Sequence, residues 1–80
     1  MAKRRVRLFF APALITEPVV YKMGKEFEVV TNIRGGEITS DSGWLYLELT
    51  GEDEEIDRAI EWAISEGVRV DPVEGDIIAG

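Results

Sequence analysis

Two stretches that alternate apolar and polar residues with a period of two, two that repeat at helical spacing, and turn-forming residues between them predict an α+β fold for this 80-residue sequence. The element order is β-α-β-β-α-β, which implies a four-stranded antiparallel sheet carrying two helices on one face. At this length the chain forms one domain, residues 1–80, with residues 1–3 and 75–80 expected to be flexible. A domain of this size buries only about 60% of the surface its unfolded chain exposes, so self-association would reinforce a thin core.

The first strand is expected from Arg4 to Phe10, where Val6, Leu8 and Phe10 alternate with Arg5, Arg7 and Phe9. Ala11-Pro12-Ala13 breaks that pattern. Thr16 before Glu17-Pro18 reads as the N-cap of a short helix in which Val19 or Val20, Met23 and Phe27 share a face. Gly24 is a candidate stop, although Lys25-Glu26 can continue the helix past it. The second strand begins near Phe27 or Glu28 and sets Val29, Thr31 and Ile33 on one face. Ile38 has the wrong parity for that face, and a one-residue bulge at Gly35-Gly36 would restore it. The turn falls in Ser40-Asp41-Ser42-Gly43. In the third strand Leu45, Leu47 and Leu49 oppose Trp44, Tyr46 and Glu48, and pairing Ile38 with Leu45 would set Ile33 opposite Leu49 and Arg34 opposite Glu48. The second helix starts with Asp53 as N-cap and carries the stripe Ile56, Ala59, Ile60, Ala63 and Ile64, closed by Gly67. A short last strand runs from Val68 to Val73. This order is that of the ferredoxin-like split β-α-β unit, in which the second strand is an edge.

Composition excludes several kinds of chemistry. Without cysteine or histidine there are no disulfides, thiolate metal sites, cysteine nucleophiles or imidazole bases. No apolar run approaches the roughly 20 residues needed to span a bilayer, so no membrane insertion is expected and a cytoplasmic location is the default. The formal charge of −7 is unevenly spread: Lys3, Arg4, Arg5, Arg7, Lys22 and Lys25 face only Glu17 in residues 1–25, and the acids crowd the remainder. Net negative charge argues against a nucleic-acid partner, whereas the basic first strand suits an acidic protein surface or the acidic part of a second copy.

Candidate sites are few. Glu52-Asp53-Glu54-Glu55 reads as the solvated, dipole-complementing start of a helix rather than a metal or acid/base centre. No nucleophile and base can be paired, so an enzyme is not expected, nor a metal or cofactor. Phe9, Trp44 and Tyr46 fall on the open sheet face; RNA-binding domains stack bases on such aromatics, but the acidic charge favours a dimer or partner face. Asn32 points to the open face or edge, where its amide could serve a ligand or simply meet water.

Over nearly its whole length the sequence resembles the NIL domain, found at the C-terminus of the ATPase subunit of bacterial methionine importers. The resemblance runs through Arg7-Leu8-Phe9, Phe27-x-Val29, the naming triplet as Asn32-Ile33-Arg34, then Gly36, Gly43-Trp44-Leu45, Leu47-Glu48-Leu49 and Gly51. It continues through Ile56, Ala59-Ile60, Trp62 and Gly67-Val68-x-Val70. The resemblance implies a dimeric regulatory module that binds a small sulfur-containing amino acid such as methionine at Asn32, Ile33, Arg34, Gly35 and Gly36 and acts through a separate partner protein. Arg34 stands where the family has an apolar residue, implying a more polar site rim or a more acidic ligand. The alternative is a ligand-free interaction module that docks on an enzyme or transporter of sulfur amino-acid metabolism.

Overall fold

The computed structural model describes residues 1–73, so the expectation for residues 75–80 lies outside the described part. Strands β1 (Ala2–Phe10), β2 (Val30–Ile38), β3 (Gly43–Gly51) and β4 (Arg69–Pro72) form one antiparallel sheet in the order β2-β3-β1-β4. Helices α1 (Val19–Glu26) and α2 (Asp53–Ser65) cover one side of it, giving the ferredoxin-like α+β fold with β2 and β4 at the edges.

The central pair carries the core. β1 and β3 match without interruption from Ala2 opposite Gly51 to Phe10 opposite Gly43. Val6, Leu8, Leu47 and Leu49 therefore share the face that is buried under Ile56, Ala59 and Ala63 of α2 and Val19 and Met23 of α1. Each such large side chain contributes about 1.5–3 kcal/mol on burial. The small alanines bring α2 close to the sheet, and Ile64, expected in the same stripe, is exposed at its border. Gly67 ends α2 with a φ of 103°, its N–H bonded to the Ile64 carbonyl and that of Val68 to Ala63, which is the expected C-terminal closure.

Several boundaries differ from expectation. Thr16 does not cap α1. A 3-10 turn at Pro12–Leu14 precedes it, Leu14 and Ile15 pack against the core, and the helix starts only at Val19 behind Pro18. Tertiary burial of Leu14 and Ile15 thus overrides a local capping signal. Gly24 lies inside α1, which runs on to Glu26. Glu52, not Asp53, occupies the N-cap position of α2, and no side chain caps it. The first turn is held instead by Arg4, whose guanidinium donates to the Asp53 carbonyl at 2.9 Å and meets the Asp57 carboxylate at 2.8 Å. β2 begins at Val30, after Val29 has already inserted into the core, and β4 spans only Arg69–Pro72.

Glu55 ties the entry of β2 to α2. Its carboxylate accepts the Glu28 backbone N–H at 2.8 Å and also meets Arg58. The Glu28 N–H, with a smaller contribution from Arg58, holds the Glu55 carboxyl below the ordinary glutamate range against a smaller desolvation effect. A lowered folded-state pKa contributes stability above the unfolded-state pKa, and that stability disappears as pH falls through the folded value. Glu55→Gln is therefore expected to lose less stability than the unmodified protein between neutral pH and about pH 3. Urea midpoints at the two pH values measure the difference, and equal losses would remove Glu55 from the acid response.

Candidate functional site

β2 and the open side of the sheet gather the residues expected to form a ligand site or a partner face. A bulge does interrupt β2, but one step earlier than expected: the register shifts between Ile33 and Gly35, so Arg34 is the extra residue. The hairpin pairing moves accordingly. Ile38 lies opposite Gly43 rather than Leu45, Ile33 opposite Leu47 rather than Leu49, and Asn32, not Arg34, is opposite Glu48. The tighter pairing follows from a four-residue loop in which Thr39 Oγ1 accepts the backbone N–H groups of Asp41 and Ser42, while the Thr39 N–H donates to the Ser42 carbonyl.

Asn32 is exposed on the open face of an edge strand, as strand order and parity indicated. Ile33 shares the helix-side face with Leu47 but projects past the helices and is 58% exposed. The bulge turns Arg34 to the open face, where its guanidinium comes within 3.8 Å of the Glu48 carboxylate. Glu48 also accepts from Arg5 at 3.1 Å. The two glycines differ. A Cβ on Gly36 would lie 2.5 Å from the Trp44 carbonyl oxygen, at a φ of 151°. A Cβ on Gly35 would meet nothing within 4 Å.

The predicted dimer or partner face is continuous across the central strands. Phe9 is opposite Trp44 in the β1–β3 register, with Tyr46 beside Arg7. Arg7 lies 5.8 Å from the Trp44 ring centre and 5.9 Å from that of Tyr46, and Arg69 lies 4.8 Å from Phe9. Asp71 pairs with Arg69 at 2.8 Å and raises its pKa. Charge differs between the open face and α2. The open face carries Lys3, Arg5, Arg7, Arg34 and Arg69 against Glu37, Glu48 and Asp71, whereas α2 carries Asp53, Glu54, Glu55, Asp57 and Glu61 against Arg58.

Sequence reasoning missed a cleft. Phe10, Leu14, Ile15, Val20, Ile38 and Leu45 line a hollow of about 130 Å³ between the β1–α1 connection and the far end of β2, with Glu17 and Tyr21 also on its walls. That is close to the ~150 Å³ of an apolar cavity able to hold a benzene ring. Leu14 and Ile15, two apolar residues left outside both elements by the period analysis, were its only signal. Asn32 lies roughly 20 Å along the strand from Ile38 at about 3.3 Å per residue, and on the opposite face, so a single chain does not bring the two together. The run beginning at Glu52 is the start of α2, with Asp53, Glu54 and Glu55 in its first turn. No described helix is long and apolar enough to cross a membrane.

Comparison with known proteins agrees with the fold. The family model of the NIL domain matches residues 4–72. The C-terminal domain of an ABC transporter ATP-binding protein from Enterococcus faecalis superposes with a TM-score of 0.80 at 28% identity, over 90% of this chain and 84% of that one. The de novo designed protein Ferredog-Diesel, at 15% identity and a TM-score of 0.55, covers 91% of this chain and 85% of its own, and shares the fold alone. No curated protein sequence matches.

The glycine contrast is directly testable. Gly36→Ala is expected to destabilise the fold by about 1–3 kcal/mol, because it places a Cβ against backbone at a positive φ. Gly35→Ala is expected to change monomer stability by no more than about 1 kcal/mol. Chemical denaturation of both variants checks the pair, and equal losses would contradict the placement of the bulge.

Proposed function

The chain belongs to the NIL domain family, and from that premise we propose that it is a cytoplasmic, non-catalytic regulatory module that binds a small sulfur-containing amino acid, methionine first, and acts through a protein partner. The observation that carries this reading is the position of Asn32. The triplet asparagine stands unburied on the open face of an edge strand, beside a bulge that breaks the ladder and next to Glu48 and Arg34. Its amide offers both an acceptor and donors, matching the ammonium and carboxylate of an amino acid. Arg34 supplies a carboxylate partner on the same rim, and the Glu48 carboxylate supplies one for an ammonium group. The open face of Phe9, Trp44 and Tyr46, with Arg7 and Arg69 set against the rings, is the surface for the partner. Regulation then follows by linkage: a ligand that prefers one state of the complex shifts the equilibrium by that preference and no more.

The ligand-free docking module is the second reading, favoured by the same aromatic and arginine face. Isothermal calorimetry and thermal melts with methionine, homocysteine, cysteine and S-adenosylmethionine separate the two. Saturating methionine at about a hundred times its Kd is expected to stabilise the domain by about 2.7 kcal/mol. Asn32→Ala is expected to abolish that gain. Absence of heat and of a melting shift with all four compounds would leave the docking module.

A further inference from the structure

The open face carries cations for which the chain provides no counter-charge nearby. Along β1 the outward residues are Lys3, Arg5, Arg7 and Phe9. Arg5 meets Glu48, but among the described residues neither Lys3 nor Arg7 pairs with a carboxylate. Asp71 stands directly across from Arg7 in the β1–β4 register, yet its carboxylate accepts from Arg69 at 2.8 and 3.3 Å instead. Arg7 is held over the rings of Trp44 and Tyr46, an exposed planar fork whose position is fixed by its aromatic neighbours. A carboxylate matches that fork in shape and charge.

The ring contacts also decide between two classes of anionic partner. A nucleic acid on such a sheet stacks its bases on the aromatic faces. Here Arg7 lies over Trp44 and Tyr46 and Arg69 over Phe9, where a base would have to go. The net charge of −7 further opposes a long polyanion, whose charges continue beyond the basic strand. A short acidic protein segment meets neither obstacle.

We propose that the open face docks an extended acidic segment of a partner protein, with carboxylates at alternate positions along Lys3, Arg5 and Arg7 and an apolar residue at Phe9 and Trp44. The inference rests on the reading of the open face as the partner surface given above. Alternate residues of β1 are about 6.8 Å apart, the interval between alternate side chains of an extended segment. One helical turn advances about 5.4 Å, so a helix with one acid per turn falls roughly 3 Å short between Lys3 and Arg7. Phe9 beside Trp44 makes one end of the track apolar, and so fixes the direction in which the segment lies. The acids of α2 repel the same segment, which confines it to the sheet side.

Fluorescence anisotropy with a labelled synthetic peptide, glutamate alternating with serine and ending in two leucines, tests the chemistry. Saturable binding to the unmodified domain is expected, weakening as salt is raised. Arg7→Ala is expected to raise the Kd by about tenfold or more. Lys25→Ala removes the same charge from α1 and is expected to change the Kd by no more than about twofold. A neutral peptide with the glutamates replaced by glutamine is the comparison. If it binds as tightly, with Arg7→Ala affecting neither peptide and Trp44→Ser, its fold verified by circular dichroism, weakening both, the acidic chemistry is overturned and the partner face stands. No saturation by either peptide up to about 1 mM would overturn both. An oligouridylate of equal charge that binds more tightly than the acidic peptide would overturn the proposal in favour of nucleic acid. Self-association that disappears in Arg7→Ala would place a second copy on the face instead.

Discussion

The uninterrupted register of β1 against β3 sets both sides of this molecule at once. Because opposed residues in an antiparallel pair share a face, placing Leu8 beside Leu45 and Val6 beside Leu47 under the helices also places Phe9 beside Trp44 and Arg7 beside Tyr46 outside. A slip of one residue would exchange the leucine core for the arginine and aromatic layer. The core thus enforces the open face: burial of Leu8, Leu47 and Leu49 keeps the cation and aromatic stack in line, although little of that stack is itself buried. α2 secures the arrangement through its alanines and through Arg4 of β1, which binds its first turn.

β2 is organised differently. Its Thr31 and Ile33 lie along the leucine face, yet the helices do not extend over Ile33 and Ile38. The strand gains its order from one ladder with β3 and from the loop closed by Thr39. The extra residue at Arg34 changes which face each later residue occupies, aims Arg34 at Glu48, and lets Gly36 lie against the Trp44 carbonyl. One inserted residue therefore connects the Arg34–Glu48 contact, the open face and the free edge.

Much of this was legible in the sequence, for identifiable reasons. The alternation of Trp44 to Leu49 and of Arg5 to Phe10 specifies faces because a strand has a period of two, and Gly67 marks a helix end because few other residues adopt its conformation. Parity between Ile33 and Ile38 required a bulge. It could not say which of the intervening residues was extra, since any of them restores the count, and the register waited on the length of the Thr39 loop. Thr16 misled because a capping preference of about 1 kcal/mol yields to burying Leu14 and Ile15. Asn32 was placed on its edge by strand order alone. The cleft was invisible because its walls come from β1, the connection after it, α1, β2 and β3, and no local pattern joins residues so far apart in the chain.

Among the described residues the open face carries more basic than acidic side chains, whereas α2 carries mostly acids. In the field of an acidic surface such a molecule experiences a torque before it makes contact, and arrives with its strands rather than its helices in front. That alignment acts only within a screening length of about 8 Å at physiological ionic strength. Orientation at encounter is therefore a property that ambient salt adjusts, independently of how tightly the surfaces hold once they meet.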